Sequence, residues 1–426
     1  MSEAIDLTAP ASALEQARQD AYATPLDKLD VANGELFEQD LMWPYFERLR
    51  AEAPVHYCAE PEFANGPYWS VSTYDLIKEV DTNHETFSSE PTIVIDDPDE
   101  DFVLPMFIAM DPPQHDEQRK VVSPVVGPRN LAALEPIIRQ RVCDILDSLP
   151  VGETFNWVDR VSIELTTQML ATLFDFPWED RRKLTRWSDV ATADETTGIV
   201  ESEDQRRAEL FECLEYFSGL WHERAKRTEP GNDLISLLAH GEATRDLPER
   251  PMEFLGNLVL LIVGGNDTTR NSLSGGVVAL NQFPAQFAKL KQDPGHIPNM
   301  VSEIIRWQTP LAHMRRTATR DTVLGGKQIK EGDRVVMWYV SGNRDESMFP
   351  NANEFIIDRE NARKHISFGF GLHRCMGNRV AEMQLRIAWD EILKRFDRVE
   401  VMGEPVRVRS SFVKGYLELP VRLTAK

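Results

Sequence analysis

The residues best equipped to do chemistry lie between Phe368 and Gly377, in the run Phe-Gly-Phe-Gly-Leu-His-Arg-Cys-Met-Gly. Gly369 and Gly371 allow a tight fold and a close approach to a flat partner, which a Cβ would obstruct. Phe368 offers an apolar wall, and His373 and Arg374 set donors beside Cys375, whose thiolate needs positive charge or N–H groups nearby. The run from Asn378 to Ala388 has helical spacing, which puts Cys375 just before a helix N-terminus, where free N–H groups and the macrodipole favour negative charge. One thiolate with no second Cys or His at pairing distance does not suit tetrahedral zinc. It suits the axial position of a haem iron. The plain alternative is an inert cysteine buried in a glycine-rich turn.

A second group of reactive side chains sits in the stretch Pro251 to Gln282, where the pattern predicts one helix of about 45 Å at 1.5 Å per residue. Its first half, Phe254 to Val263, is apolar nearly all round, as in a helix sunk in a core. The sequence then turns to Gly264-Gly265-Asn266-Asp267-Thr268-Thr269. Two helix-weakening glycines and four polar side chains in a buried helix cost stability. Gly pairs, Thr hydroxyls bonded back to carbonyls and an inserted water open a helix into a groove, here one that would hold dioxygen. An acid beside a hydroxyl, Asp267 with Thr268, would then deliver protons so that the O–O bond breaks heterolytically. His115 and Arg119, at i and i+4, share a helix face and suit a carboxylate partner; taken without Cys375, a solvated charged face that carries an ordinary histidine is the stronger reading. Glu303 and Arg306, at i and i+3, read as an ordinary helix salt bridge.

The spacing Phe-x-x-Gly-x-x-x-Cys-x-Gly resembles the signature of the cytochrome P450 haem-thiolate monooxygenases, and Gly-Gly-x-Asp-Thr-Thr resembles their oxygen-activation motif. The resemblance implies a mainly α fold with small β-sheets, a long central helix over haem b, and a loop beneath it whose Cys375 ligates the iron. Phe368, Gly371, His373 and Gly377 would contact the haem. His115, Arg119 and Arg316 would hold propionates, with Arg315 competing for the last role. Asp267 and Thr268 would be the acid and the alcohol of oxygen activation. Glu303, Arg306 and Arg359 would lock the core beneath the haem. Substrate would meet Ile93, Val94, Leu104 and Phe107 on a distal loop, then Leu261, Val263 and Gly264 on the long helix. Leu311 and Met314, followed by Phe412 and Val413 near the C-terminus, would complete the pocket.

The elements that must position these groups follow from the rest of the chain. Residues 1–30 are Ala-, Glu- and Asp-rich and read as a partly ordered extension, and residues 31–426 as a single domain without internal repeats. A helical pattern runs from Leu36 to Pro54, and a strand over Tyr68 to Ser72. Ser88 to Met110 reads as a long functional loop. Amphipathic helices fill 131–250, with Thr192 to Ile199 near the pocket rim. Gly325-Gly326 signals a hairpin.

The net charge of −22 argues against nucleic acid and anionic membranes. Four scattered cysteines without a C-x-x-C pair suit a reducing cytoplasm, and no apolar stretch reaches the roughly 20 residues that span a bilayer. The chain shows no Gly-x-Gly-x-x-Gly nucleotide fingerprint, so electrons would come from another protein. Residues 359–398 hold nine Lys and Arg against five Asp and Glu, a basic face suited to an acidic ferredoxin; an ordinary solvated face is the plain alternative. The proposed pocket segments are all apolar. The stretches Pro105 to Pro113, Ile262 to Asn271 and Met337 to Arg344 resemble the soluble bacterial subfamily that hydroxylates terminal carbons of medium-chain alkanes and fatty acids; the chain is expected to be a cytoplasmic monomer. A terpenoid or steroid substrate and a peroxide-driven peroxygenase are the rival enzyme readings. A haem sensor or electron carrier is the non-enzyme rival, and it predicts neither an apolar pocket nor an acid-alcohol pair.

Overall fold

The computed structural model describes residues 11–193, 197–229 and 231–426. The first ten residues of the extension and residues 194–196 of the expected pocket rim lie outside the described residues.

The architecture is organised by one helix. In chain order, the helices that matter here are α1 (Ala11–Ala23), α2 (Trp43–Glu52), α3 (Tyr74–Thr82), α4 (Gln114–Val122), α5 (Pro128–Asp147), α6 (Glu164–Phe174), α7 (Arg182–Ala191), α8 (Glu203–Ala225), α9 (Pro251–Gln282), α10 (Ile297–Gln308) and α11 (Asn378–Arg395). Helix α9 starts with Pro at its first position, where a missing N–H costs nothing, and ends before Phe283-Pro284, which cannot continue it. Packed against α6, α7, α8, α10 and α11, it buries residues on every side from Phe254 to Ile262. That explains its all-round apolar sequence.

The remaining frame is a five-stranded sheet of β1 (Val55–Cys58), β2 (Tyr68–Val71), β3 (Phe87–Ser88), β4 (Met314–Ala318) and β5 (Arg334–Met337), in the order β1-β2-β5-β4-β3. On β4, Arg315 pairs with Val336 and Arg316 with Val335. Neighbouring residues on a strand face opposite ways, so the two arginines serve different sides. The hairpin of Thr322–Leu324 and Lys327–Ile329 turns at Gly325-Gly326, both at positive φ.

One sequence expectation needs correction. The pattern from Leu36 to Pro54 is two helices, Gly34–Glu38 and α2, because Asp40 takes a left-handed φ of 58° between them. The extension contributes an ordered helix, α1, whose Ala17 and Ala21 are buried and whose Arg18 pairs with Glu47 of α2 at 2.8 Å.

Candidate active site

The cysteine loop is held from several sides. The Cys375 N–H donates to the Phe368 carbonyl at 2.8 Å. Gly371 sits at φ +65°, with the Asp81 carbonyl oxygen 2.7 Å from where a Cβ would stand, so only glycine fits both the turn and the contact. Helix α11 begins three residues after the cysteine. The N–H groups of Gly377 and Asn378, with Arg119 and Arg374, pull the thiol towards ionisation, against a larger upward push from burial. Cys375 is nonetheless accessible. Deep placement together with accessibility means that the sulfur faces an interior space.

Around that space, donors from three elements converge. His115 of α4 and His373 of the loop stand with ring centroids 4.3 Å apart. His115 uses Nδ1 towards Asp116 at 2.8 Å, while its Nε2 and both nitrogens of His373 are buried without a partner. Burial, with Arg316, His115 and Arg119 adding in the same sense, holds His373 at about 2, so its ring is neutral. Arg119 reaches across to the Arg374 carbonyl at 2.5 Å, and Arg316 to Asp81 at 2.9 Å. Arg315 points elsewhere, to Asp97 at 2.7 Å and the Ile95 carbonyl at 3.2 Å. Orphaned buried nitrogens beside two arginines and a reachable thiol fit a planar cofactor with an anionic edge and a metal that the thiolate would hold.

Helix α9 supplies another face. Gly264 is exposed, with nothing within 4 Å of where its Cβ would lie, and Thr268, one turn on, donates its hydroxyl to the Gly264 carbonyl at 3.1 Å. Asp267, about 100° further round the helix, is fully buried the other way. It accepts from Ser188 of α7 at 3.0 Å and pairs with Arg270 at 3.0 Å, which also holds Asp189 at 2.7 Å. Burial, aided by Asp189, pushes Asp267 above the usual carboxylate range against the pull of Arg270. The alcohol and the acid thus diverge.

Of the expected pocket residues, Leu104, Phe107, Leu261 and Val263 join one apolar cluster. Leu311 bridges Val413, and the Ala312 N–H donates to the Phe412 carbonyl at 2.8 Å, which pins the last loop. The Ile93 carbonyl accepts from the Arg315 N–H at 2.8 Å, while Val94 is half-buried beside it. Met314 packs at the edge of a different cluster, with Phe87 and Met337. Beneath the loop, Glu303 is fully buried and bonds Arg306 at 2.7 Å twice and Arg359 at 3.0 and 3.1 Å. Sequence reasoning missed Asp81, which accepts from Arg316, from Tyr339 at 2.9 Å and from the Phe370 N–H at 2.6 Å. Nothing in the spacing around Asp81 signals that role. A surface cavity of about 530 Å³ lies near the C-terminal end of α9, among Val277, Phe287 and Trp389, and shares no residue with these groups.

The family model described as Cytochrome P450 matches residues 296–415. Linalool 8-monooxygenase of Pseudomonas putida is 35% identical over 412 residues, 94% of this chain and 100% of that protein. The chain belongs to the cytochrome P450 family. A methyl-branched lipid omega-hydroxylase of Mycobacterium tuberculosis is 31% identical over 417 residues, covering 93% of this chain and 96% of that one. Among solved structures, CYP153D17 from Sphingomonas sp. PAMC 26605 superposes with a TM-score of 0.87 at 50% identity, over 93% of this P450 and 99% of that chain. The cofactor is therefore a haem with thiolate ligation and the enzyme a monooxygenase. Among the described residues, no helix is long and apolar enough to cross a membrane.

Proposed function

We propose that this P450 hydroxylates the terminal carbon of medium-chain apolar substrates, alkanes or fatty acids, using haem b and electrons from a ferredoxin. The observation that carries the reading is the wall of Leu104, Phe107, Leu261 and Val263, apolar throughout, on the loop and helix that flank the open Gly264 face. Such a wall offers a linear chain burial and offers a head group no partner. The named activity of the omega-hydroxylase relative points the same way.

In this reading Cys375 would ligate the iron, with Phe368, Gly371 and Gly377 shaping the loop that carries it. His115, His373, Arg119 and Arg316 would hold its anionic edge; Arg316 is preferred over Arg315 because its charge acts on His373, whereas Arg315 lies on the other side of the strand with Asp97. When bound, the haem supplies dioxygen activation, the thiolate favouring O–O cleavage. Thr268 holds a hydroxyl on the open face, its proton on the Gly264 carbonyl and its lone pairs free to orient a proton donor. Asp267 supplies protons from behind through its unpartnered Oδ2 after release from Arg270. The exposed Arg363, Lys364, Arg374 and Arg379, which form no ion pair among the described residues, suit an acidic ferredoxin on the thiolate side.

The linalool relative favours a second reading, terpenoid oxidation at the same site. Optical titration of the ferric enzyme with n-octane, octanoic acid, dodecanoic acid, linalool and a steroid separates the two. Spin-state shifts with linear chains, followed by terminal alcohols in product analysis, are expected. Shifts with linalool or the steroid alone overturn the linear-chain assignment.

A further inference from the structure

Asn257 belongs to no motif, yet it joins three parts of the site. Fully buried on α9, it lies two turns before Gly264. Residues 257, 261, 264 and 268 follow i, i+4, i+7 and i+11, so Asn257 shares one stripe of the helix with Leu261, Gly264 and Thr268. Its Oδ1 accepts from the Phe107 N–H at 3.0 Å, and its Nδ2 donates to Gln118 of α4 at 2.9 Å. Gln118 in turn donates to Glu253, one turn earlier on α9, at 2.7 Å. Beside it the backbones touch: a Cβ on Gly256 would lie 2.1 Å from the Pro105 carbonyl oxygen. Glycine at 256 lets the loop reach the helix, and Asn257 fixes where it stops.

Phe107 opens the short 3₁₀ turn Phe107–Ala109, and its N–H has Asn257 as its acceptor. A rigid helix then holds that acceptor about 10 Å along the axis from Gly264, seven residues at 1.5 Å each. We infer that Asn257 is a positioning residue for specificity: it sets the distance between the Phe107 wall and the Gly264–Thr268 face, and so the width of the chain that this P450 accepts. The inference rests on the substrate reading above, since it assumes that Phe107 bounds the pocket. It also couples the wall to α4, which carries His115 and Arg119.

The test compares Asn257→Ala with Asn257→Asp, which keeps an acceptor oxygen for Phe107, in the haem-loaded full-length enzyme. Two readouts are taken: amide exchange across residues 104–110, and spectral affinity for dodecanoic acid against linalool. In Asn257→Ala the Phe107 amide should exchange about tenfold faster, the loss of one buried hydrogen bond. Affinity for dodecanoic acid should fall relative to that for linalool, while Asn257→Asp stays near the wild type on both readouts. A merely structural role would lower melting temperature and haem content without moving the ratio of the two affinities. An unchanged ratio in Asn257→Ala, or an Asn257→Asp enzyme as impaired as Asn257→Ala, overturns the inference. Should Asn257→Ala not fold, wild-type exchange decides: Phe107 must rank among the slowest amides of residues 88–113, and fast exchange there overturns it. A wild-type enzyme that binds no linear chain defeats the substrate reading instead, and leaves the exchange result to stand by itself.

Discussion

At the scale of single residues, side chains adjacent in sequence have separate tasks. Thr268 lies on the open face of α9 and Asp267 behind it, bound to Ser188 and Arg270. Thr268→Ala removes the hydroxyl without disturbing a buried partner, so substrate binding should hold while product per electron consumed falls, by up to the roughly hundredfold that a positioned proton donor contributes. Product measured against reductant oxidised checks this; unchanged coupling would remove Thr268 from the proton path. Glu303 is the opposite kind of residue. Its carboxylate is fully buried between Arg306 and Arg359, and Glu303→Ala strands two cations. Breaking a buried pair in this way costs about 3–5 kcal/mol, to be read as a lowered denaturation midpoint with loss of haem.

At the scale of elements, residues 88–113 are fastened along their length by different chemistry. Arg315 holds the start through Ile93, Ile95 and Asp97, and Asn257 holds the end through Phe107. The apex depends on Arg207 of α8, which grips Asp101 at 2.8 Å and Asp99 at 3.0 Å and covers the Phe102 ring at 5.0 Å. The two aspartates are exposed, so each pair is weak and is screened by salt. The apex, where Phe102 also packs edge-on against Phe211, is thus a fastening that salt loosens. Substrate association should therefore quicken with ionic strength, and Arg207→Gln should be fast at low salt and salt-insensitive. Stopped-flow mixing with dodecanoic acid measures both; a wild-type rate independent of salt would place admission elsewhere.

At the scale of the molecule, buried histidines make the fold acid-sensitive. His313 is enclosed by Trp338 and Phe412, bonded to the Ser411 carbonyl, and held at about 4 by burial. His365 is held at about 3 by burial, with Arg306 and Arg374 adding to it. Both folded values lie below the unfolded value of about 6.5, so the unfolded chain binds more protons and stability drops as pH falls from 6.5 towards 4. At pH 5 each histidine should cost about 2 kcal/mol relative to pH 7.5. Denaturant unfolding at the two pH values tests the sum, to which His373 also contributes, and His313→Gln should remove about 2 kcal/mol of the dependence.

The sequence by itself determined the chemistry, because that chemistry is local. A thiolate before a helix with glycines at Gly369 and Gly371, and separately the break from apolar to polar at Gly264, are each contained in a few consecutive residues, and short-range spacing carries them into structure. The long helix was legible to its ends, since Pro251 and Pro284 punctuate an all-round apolar run. Tertiary structure decided which groups meet. Strand alternation turned Arg316 towards Asp81 and Arg315 towards Asp97; helical phase turned Asp267 away from Thr268. Asp81 and Asn257 gained their roles from partners more than a hundred residues away, Arg316, Tyr339 and Phe107. Contacts at such separations depend on how whole elements pack, and no periodicity within one segment encodes them.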